Sequence, residues 1–253
     1  MLNDIIKKIR LYGPARASRY ALVEIYRLFF FNLMRRSYSQ KGEDLIMDSL
    51  LGNPKTGFYV DVGAHDPDRF SNTKRFYNKG WHGINVEPNT DLFSRFSKRT
   101  RDINLNCGIG AENFDQFIFH QFFPNTLSTF DAEVAKGYER QGFKCTAKKR
   151  VEVKSLAAMF DELVKDRTID FLNIDVEGLE MEVLSGNDWK RFRPRLICIE
   201  AAKHDSDITD NGIKASRQHG YLTTLGYERV HFNGINAVYQ DRQSTNAKGP
   251  HND

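Results

Sequence analysis

The chain has 253 residues, of which 40 % are hydrophobic and 28 % charged. These proportions are globular and exclude a disordered chain, a collagen-like repeat and a polytopic membrane protein. Residues 1–41 hold nine basic and two acidic side chains, so the net +4 of the whole chain arises there and the remaining body stands at −3.

Residues 1–37 read as a basic amphipathic helical segment, broken near Gly13-Pro14. Its apolar run from Ala21 to Met34 is interrupted by Glu24, Arg27 and Asn32. That run falls short of the ~20 residues a membrane-spanning helix needs. The expectation is a helix packed on the main domain or on a second copy of the chain. The other reading is peripheral contact with an anionic membrane face. Residues 1–20 lack the apolar core and cleavage site of a secretory signal. Cys107, Cys145 and Cys198 form no C-x-x-C pair. The expected setting is therefore the cytoplasm, with the inner membrane face as the place a docked helix would reach.

A helix is expected over residues 40–51, with Leu45, Ile46, Leu50 and Leu51 at helical spacing. Gly52-Asn53-Pro54 stops it. Strands follow at residues 57–62, 81–86 and 102–106, separated by helices at 73–79 and 89–99. Residues 117–120 and 150–154 are further strand candidates. A helix over 155–165 sets Leu156, Met159, Phe160 and Leu163 on one face. Strands at 170–175 and 195–200 flank a helix that begins near Leu179 and ends at Gly186. A helix end and two strands lie between Tyr221 and Tyr239, and residues 243–253 are a polar tail expected to fray. This alternation predicts an α/β domain over 38–242, a parallel sheet with helices on both faces. Residues 111–149 break the alternation and read as an insertion that covers something.

In open α/β sheets, ligands bind at the carboxyl ends of the strands, where strand order reverses. The expected strand ends carry Asp61, Glu87, Asp175 with Glu177, and Glu200, while the third ends at Asn106-Cys107. Gly63 lets a ligand approach the backbone. Glu87 follows Gly63 by 24 residues, where a carboxylate accepts hydrogen bonds from both ribose hydroxyls of a nucleotide. The run Gly63-Ala-His-Asp-Pro-Asp68 lacks the further glycines of a dinucleotide fingerprint, and Asp66 and Asp68 would face the phosphates. No phosphate-binding G-x-x-x-x-G-K-[ST] loop occurs. An acid-rich pocket suits a ligand with positive charge and no phosphate. S-adenosylmethionine, with sulfonium, ammonium, ribose and adenine, fits that description.

Several runs together resemble the FkbM-type S-adenosylmethionine-dependent methyltransferases. They are Ser39-Gln-Lys-Gly-Glu-Asp44, Phe58-Tyr-Val-Asp-Val-Gly-Ala-His65, Ser71-Asn-Thr73, Gly80-Trp-His-Gly-Ile-Asn-Val-Glu-Pro88 and Ile169-Asp-Phe-Leu-Asn-Ile-Asp-Val-Glu-Gly-Leu-Glu180. They occur in order across residues 38–200. One departure is His65-Asp66-Pro67, where many members carry Asn and Gly. The resemblance implies a class I fold with a mostly parallel seven-stranded sheet, and O-methylation of a saccharide or related metabolite. It places Asp61, Gly63 and Ala64 along the methionine part of the cofactor, Glu87 at the ribose, Asn106 and Cys107 near the adenine, and Gln40 over the methionine end. His65, Pro88 and Asp175 complete the expected cofactor set.

Methyl transfer to oxygen needs a base or a metal at the acceptor hydroxyl. Asp175 is the expected base, Glu177 the group that orients the hydroxyl, and His65 and His204 are further candidates. Asp175 and Glu200, with Glu177 or His204, are the candidate ligands of a magnesium ion. A saccharide hydroxyl, on a nucleotide sugar or a surface-glycan intermediate, is the expected acceptor, and a homo-oligomer is a further expectation. Rival readings are a peptide or lipid acceptor and a non-catalytic cofactor-binding scaffold. The acidic body weighs against an RNA partner.

Overall fold

A computed structural model describes residues 37–201, 212 and 216–243. The expected helices of residues 1–36, His204 and the tail from 244 lie outside the described residues. In chain order come α1 (Glu43–Leu50), β1 (Phe58–Val62), α2 (Lys74–Asn78), β2 (His82–Val86), α3 (Thr90–Phe93) with a 3-10 turn (Ser94–Lys98), and β3 (Ile103–Leu105). Next are β4 (Gly108–Gly110), β5 (Phe114–Phe123), α4 (Ala132–Arg140), β6 (Lys144–Ser155) and α5 (Leu156–Leu163). The chain continues with β7 (Phe171–Ile174), α6 (Glu180–Ser185), β8 (Leu196–Glu200), α7 (Arg217–Thr224), β9 (Tyr227–Phe232) and β10 (Asn236–Asp241).

Seven strands form one sheet in the order β3-β2-β1-β7-β8-β10-β9. Strand β10 runs opposite to the other six. Strand β1 is buried along its whole length because both faces of the sheet are covered. Its side chains alternate between two cores. Phe58, Val60 and Val62 join α5's Leu156, Met159 and Phe160 on one face. Tyr59 joins Met47, Phe76, Trp81 and Phe171 on the other. The Phe76 and Phe171 rings lie 4.6 Å apart, within the range of favourable edge-tilted contact.

Helix α1 places Leu51 in the second core with Ile46 and Leu50 against it, as its apolar spacing predicts, but Glu43, Asp44 and Asp48 are buried as well, together with Met47. Each acid has a partner that burial demands. Asp48 pairs with Arg75 at 2.6 Å and Lys79 at 2.5 Å. Asp44 accepts from the Ser37 and Ser39 hydroxyls and the Tyr38 amide. Glu43 accepts from the side-chain amides of Asn233 and Asn236 at 2.8 and 2.7 Å. Helix α1 is thus bolted to α2 and to the β9–β10 turn.

Around residues 111–149 the expected strand at 117–120 lies within β5, and the expected strand at 150–154 is the end of β6, whereas β4, α4 and the first half of β6 were not expected. Strands β4, β6 and β5 make a separate three-stranded sheet, with β5 and β6 a long antiparallel hairpin. Helix α4 lies between them, capped by Asp131, whose carboxylate accepts from the Glu133 and Val134 amides. Among the described residues, no helix is long and apolar enough to cross a membrane.

Candidate active site

Strand order reverses between β1 and β7, and the backbone there is tightly packed. The Gly63 and Ala64 amides both donate to the Val86 carbonyl at 3.0 Å, and the Asp175 amide donates to Val62 O at 3.0 Å. Gly63 has φ +79°. A Cβ on it would stand 1.8 Å from the Asp175 carbonyl oxygen. Only glycine lets the turns after β1 and β7 meet. Above this junction opens a cleft of about 1130 Å³. Small-molecule pockets are commonly about 300–1,000 Å³, so there is room for more than one ligand.

Glu87 follows β2 and is buried in the cleft wall. Its Oε2 accepts from the His65 amide at 2.7 Å, and its Oε1 from the Asn89 amide at 2.8 Å. Burial raises its pKa to about 8 against these two bonds, and the charges of Asp61 and Asp175 push the same way. Each oxygen keeps a lone pair for a further donor. Asn106 lies outside the cleft lining. Its amide instead donates to the Glu87 and Pro88 carbonyls at 2.7 and 3.2 Å, holding the turn that carries Glu87. Cys107 does line the cleft, and burial pushes its thiol up to about 11.

Asp61 is buried at the floor. Its Oδ1 accepts from Asn173 Nδ2 at 2.8 Å and its Oδ2 from the Thr73 hydroxyl at 3.0 Å. Asn173 Oδ1 in turn accepts from Asn72 Nδ2 at 2.9 Å. Burial raises the Asp61 pKa. A relay therefore joins β1, β7 and the loop from His65 to Thr73. The same loop is braced from outside. Asp66 pairs with Arg95 at 2.6 Å, and Asp68 pairs with Lys74 at 2.6 Å and with Lys98. Asp66 and Asp68 line the cleft, as expected of acids that would face a dinucleotide's phosphates, and are held there by these pairs. Arg99 is buried beneath the loop and donates to Pro67 O and Tyr59 Oη, with Asp102 at 3.6 Å.

Gln40 stands at the rim, on the turn that Ser39 and Glu43 hold in place through the Gly42 and Lys41 amides. At the far end, Asp175, Glu177 and Glu200 line the cleft after β7 and β8. The second sheet closes this end with Phe119, Phe123, Phe130 and the 3-10 turn Asn125–Leu127. Two bonds tie it to the Glu177 loop. The Thr129 hydroxyl donates to Glu177 O at 2.9 Å, and the Tyr138 hydroxyl to Glu177 Oε2 at 3.4 Å. Glu177 itself has φ +51°.

The structure thus gathers Gln40, Asp61, Gly63, Ala64 and His65 with Glu87, Pro88, Cys107, Asp175, Glu177 and Glu200 around one cleft. His65 has a pKa lowered to about 4 by burial, which keeps the ring neutral. The magnesium expectation at Asp175 and Glu200 finds no support. Among the described residues, no three His, Cys, Asp or Glu side chains converge as a metal site. The sequence assigns no role to Asn72, Asn173 or Tyr138, although a polar residue inside a buried strand was a legible sign for Asn173. Thr129, expected in the covering insertion, bonds the Glu177 loop.

An open parallel sheet, a cleft at its switch point, a buried acid after the second strand and no phosphate-binding glycine series define a nucleoside-binding domain of the class I methyltransferase type. The family model for the methyltransferase FkbM domain matches residues 61–228, and the chain belongs to that family of S-adenosylmethionine-dependent methyltransferases. No curated protein matches it. Among solved structures, the methyltransferase FkbM from Methylobacillus flagellatus is 14 % identical with a TM-score of 0.44. The match covers 74 % of this chain and 44 % of that one, so the chain spans less than half of that protein's length. A candidate O-methyltransferase from Klebsiella pneumoniae is 8 % identical, covering 80 % and 81 % of the two chains at a TM-score of 0.42. A candidate caffeoyl-CoA O-methyltransferase from Staphylococcus aureus is 12 % identical, covering 88 % and 99 %, also at 0.42.

The residues fit the family's cofactor. Gly63 lets the turns after β1 and β7 close up at the switch point, and Glu87 offers two oxygens with spare lone pairs for a ribose diol. Asp61 and Asp175 both line the cleft at the junction of β1 and β7.

Proposed function

We propose that this chain transfers a methyl group from S-adenosylmethionine to a hydroxyl of a saccharide, in the assembly of a surface glycan. The observation that carries the reading is the composition of the far end of the cleft. There the carboxylates of Asp175, Glu177 and Glu200 face an aromatic and polar wall of Phe123, Asn125, Thr126, Ser128 and Phe130. Carboxylates and amides meet sugar hydroxyls, and aromatic faces pack on the apolar face of a sugar ring.

Bound S-adenosylmethionine supplies an electrophilic methyl group. Glu87 and the turn after Gly63 hold the nucleoside. Asp175 would take the proton of the acceptor hydroxyl, whose oxygen would receive the methyl group as the sulfonium S–C bond breaks, and Glu177 would orient that hydroxyl. The second sheet excludes water from the far end and fixes Glu177 through Thr129 and Tyr138.

The test is a screen of sugar and nucleotide-sugar acceptors, followed by Asp175→Asn. That variant is expected to bind S-adenosylhomocysteine as the wild type does and to lose about 10²–10⁴-fold in turnover. Full turnover by Asp175→Asn removes Asp175 from the role of base.

The basic segment 1–36 suits an enzyme that works beside an anionic membrane face, in the cytoplasm. The full chain is expected to float with anionic liposomes and a chain of residues 37–253 is not. Equal behaviour of the two would remove the membrane role and leave the enzyme reading intact.

A further inference from the structure

We infer that Asn72 recognises the α-ammonium group of the cofactor's amino-acid part, a role that rests on the cofactor reading given above. The side chain of Asn72 is buried in the cleft wall. Its orientation is set by the relay, because Nδ2 donates to Asn173 Oδ1 and Asn173 Nδ2 donates to Asp61 Oδ1. Flipping the Asn72 amide would oppose two carbonyl oxygens. The relay therefore commits Oδ1 to the other side, where it is buried with no partner among the described residues. An orphaned buried acceptor is costly, and native proteins keep one where a ligand satisfies it.

The layout of the cleft selects which donor arrives. Glu87 after β2 takes the ribose, and Cys107 after β3 lies on the adenine side. A nucleoside held that way directs its 5′ substituent toward β1 and β7, on the side away from β3. Asn72 reaches that floor through Asn173 of β7. The donors of S-adenosylmethionine are the adenine amine, the ribose hydroxyls and the ammonium. With the first two directed to β3 and β2, the ammonium is the donor left for Asn72. A carbonyl acceptor backed by the Asp61 carboxylate suits a cation.

The experiment is a ligand cycle by calorimetry at pH 7.5. S-adenosylhomocysteine and its analogue without the amino group are titrated into wild type and Asn72→Ala, and thermal midpoints check folding. The wild type is expected to prefer the amino ligand by about tenfold or more, as for hydrogen bonds to charged groups. Asn72→Ala is expected to bind both ligands alike, at the affinity the wild type has for the analogue. Because that variant also opens the relay, a second measurement uses unaltered protein. The Asn72 side-chain amide resonance is expected to move with S-adenosylhomocysteine and to stay in place with the analogue. Equal preference in wild type and variant, or equal resonance shifts with the two ligands, overturns the assignment. Failure of wild type to bind either ligand overturns the cofactor reading instead.

Discussion

Glu87→Ala is expected to lower affinity for S-adenosylhomocysteine by about 10²–10⁴-fold. Two hydrogen bonds from ribose hydroxyls to a buried carboxylate are each worth about 1.5–3 kcal/mol, and removing the side chain loses both. The His65 and Asn89 amides lose their acceptor as well, so the turn after β1 loosens. Glu87→Gln separates the two contributions. Whichever way the new amide is turned, its nitrogen faces one of those backbone N–H groups. It keeps one bond and loses the charge, so its loss is expected to fall between wild type and Ala. Unchanged affinity in both variants would place the nucleoside elsewhere.

The same carboxyl sets a pH dependence. Its pKa of about 8 arises from burial, added to by Asp61 and Asp175 and opposed by the two backbone bonds. Ribose hydroxyls donate to the ionised form, so binding pulls this pKa down. Above pH 8 the group is already ionised and affinity is greatest. As pH falls below 8, a proton must first be released, and affinity declines toward about tenfold per unit until the bound-state pKa is reached. 5′-Methylthioadenosine is the right probe, because it has no amino-acid groups that titrate. Its Kd, measured from pH 6 to 9, is expected to fall with rising pH and level off above 8. A flat profile would mean that Glu87 keeps one protonation state throughout.

Gly63→Ala is expected to cost on the order of 4 kcal/mol or to prevent folding. A left-handed backbone costs an alanine about 1–2 kcal/mol. The larger cost comes from the Cβ, which would stand 1.8 Å from the Asp175 carbonyl oxygen. That oxygen belongs to backbone held by the Asp175–Val62 bond, so it cannot retreat without opening the sheet. Gly52 is the control. Its φ is +81°, and a Cβ there meets nothing within 4 Å. Gly52→Ala is therefore expected to show the backbone cost alone. Urea unfolding midpoints compare the two. Equal shifts would show that the switch point tolerates a wider separation of β1 and β7.

Both residues were legible in the sequence, and for the same reason. Glu87 and Gly63 sit at the ends of strands that short-range pattern reveals, and strand ends in a parallel sheet converge on one cleft. The inward face of α1 was legible only in part. Ile46, Leu50 and Leu51 meet the core as their spacing implies, whereas the burial of Glu43, Asp44 and Asp48 carries no local sign. Hydrophobic periodicity assumes that acids face water. Here Arg75, Lys79, Asn233 and Asn236 make burial affordable, and two of those partners lie some 190 residues away.

By itself, the sequence determined the alternation of strands and helices, the acids and glycine at the strand ends that line the cleft, and the family to which those runs belong. These depend on neighbours within a few residues or on strand order, which local chemistry encodes. Tertiary structure alone decided that Asp61 is tied up by Asn173 and Thr73, that Asp66 and Asp68 serve as braces, and that Asn106 supports the Glu87 turn from outside the cleft. It also decided that the covering segment is a second sheet, whose residues line the cleft and whose Thr129 and Tyr138 bond Glu177. A polar side chain acts on a ligand or on its own protein according to which partner packing brings within hydrogen-bond reach. That partner is distant in the chain, and no local pattern names it.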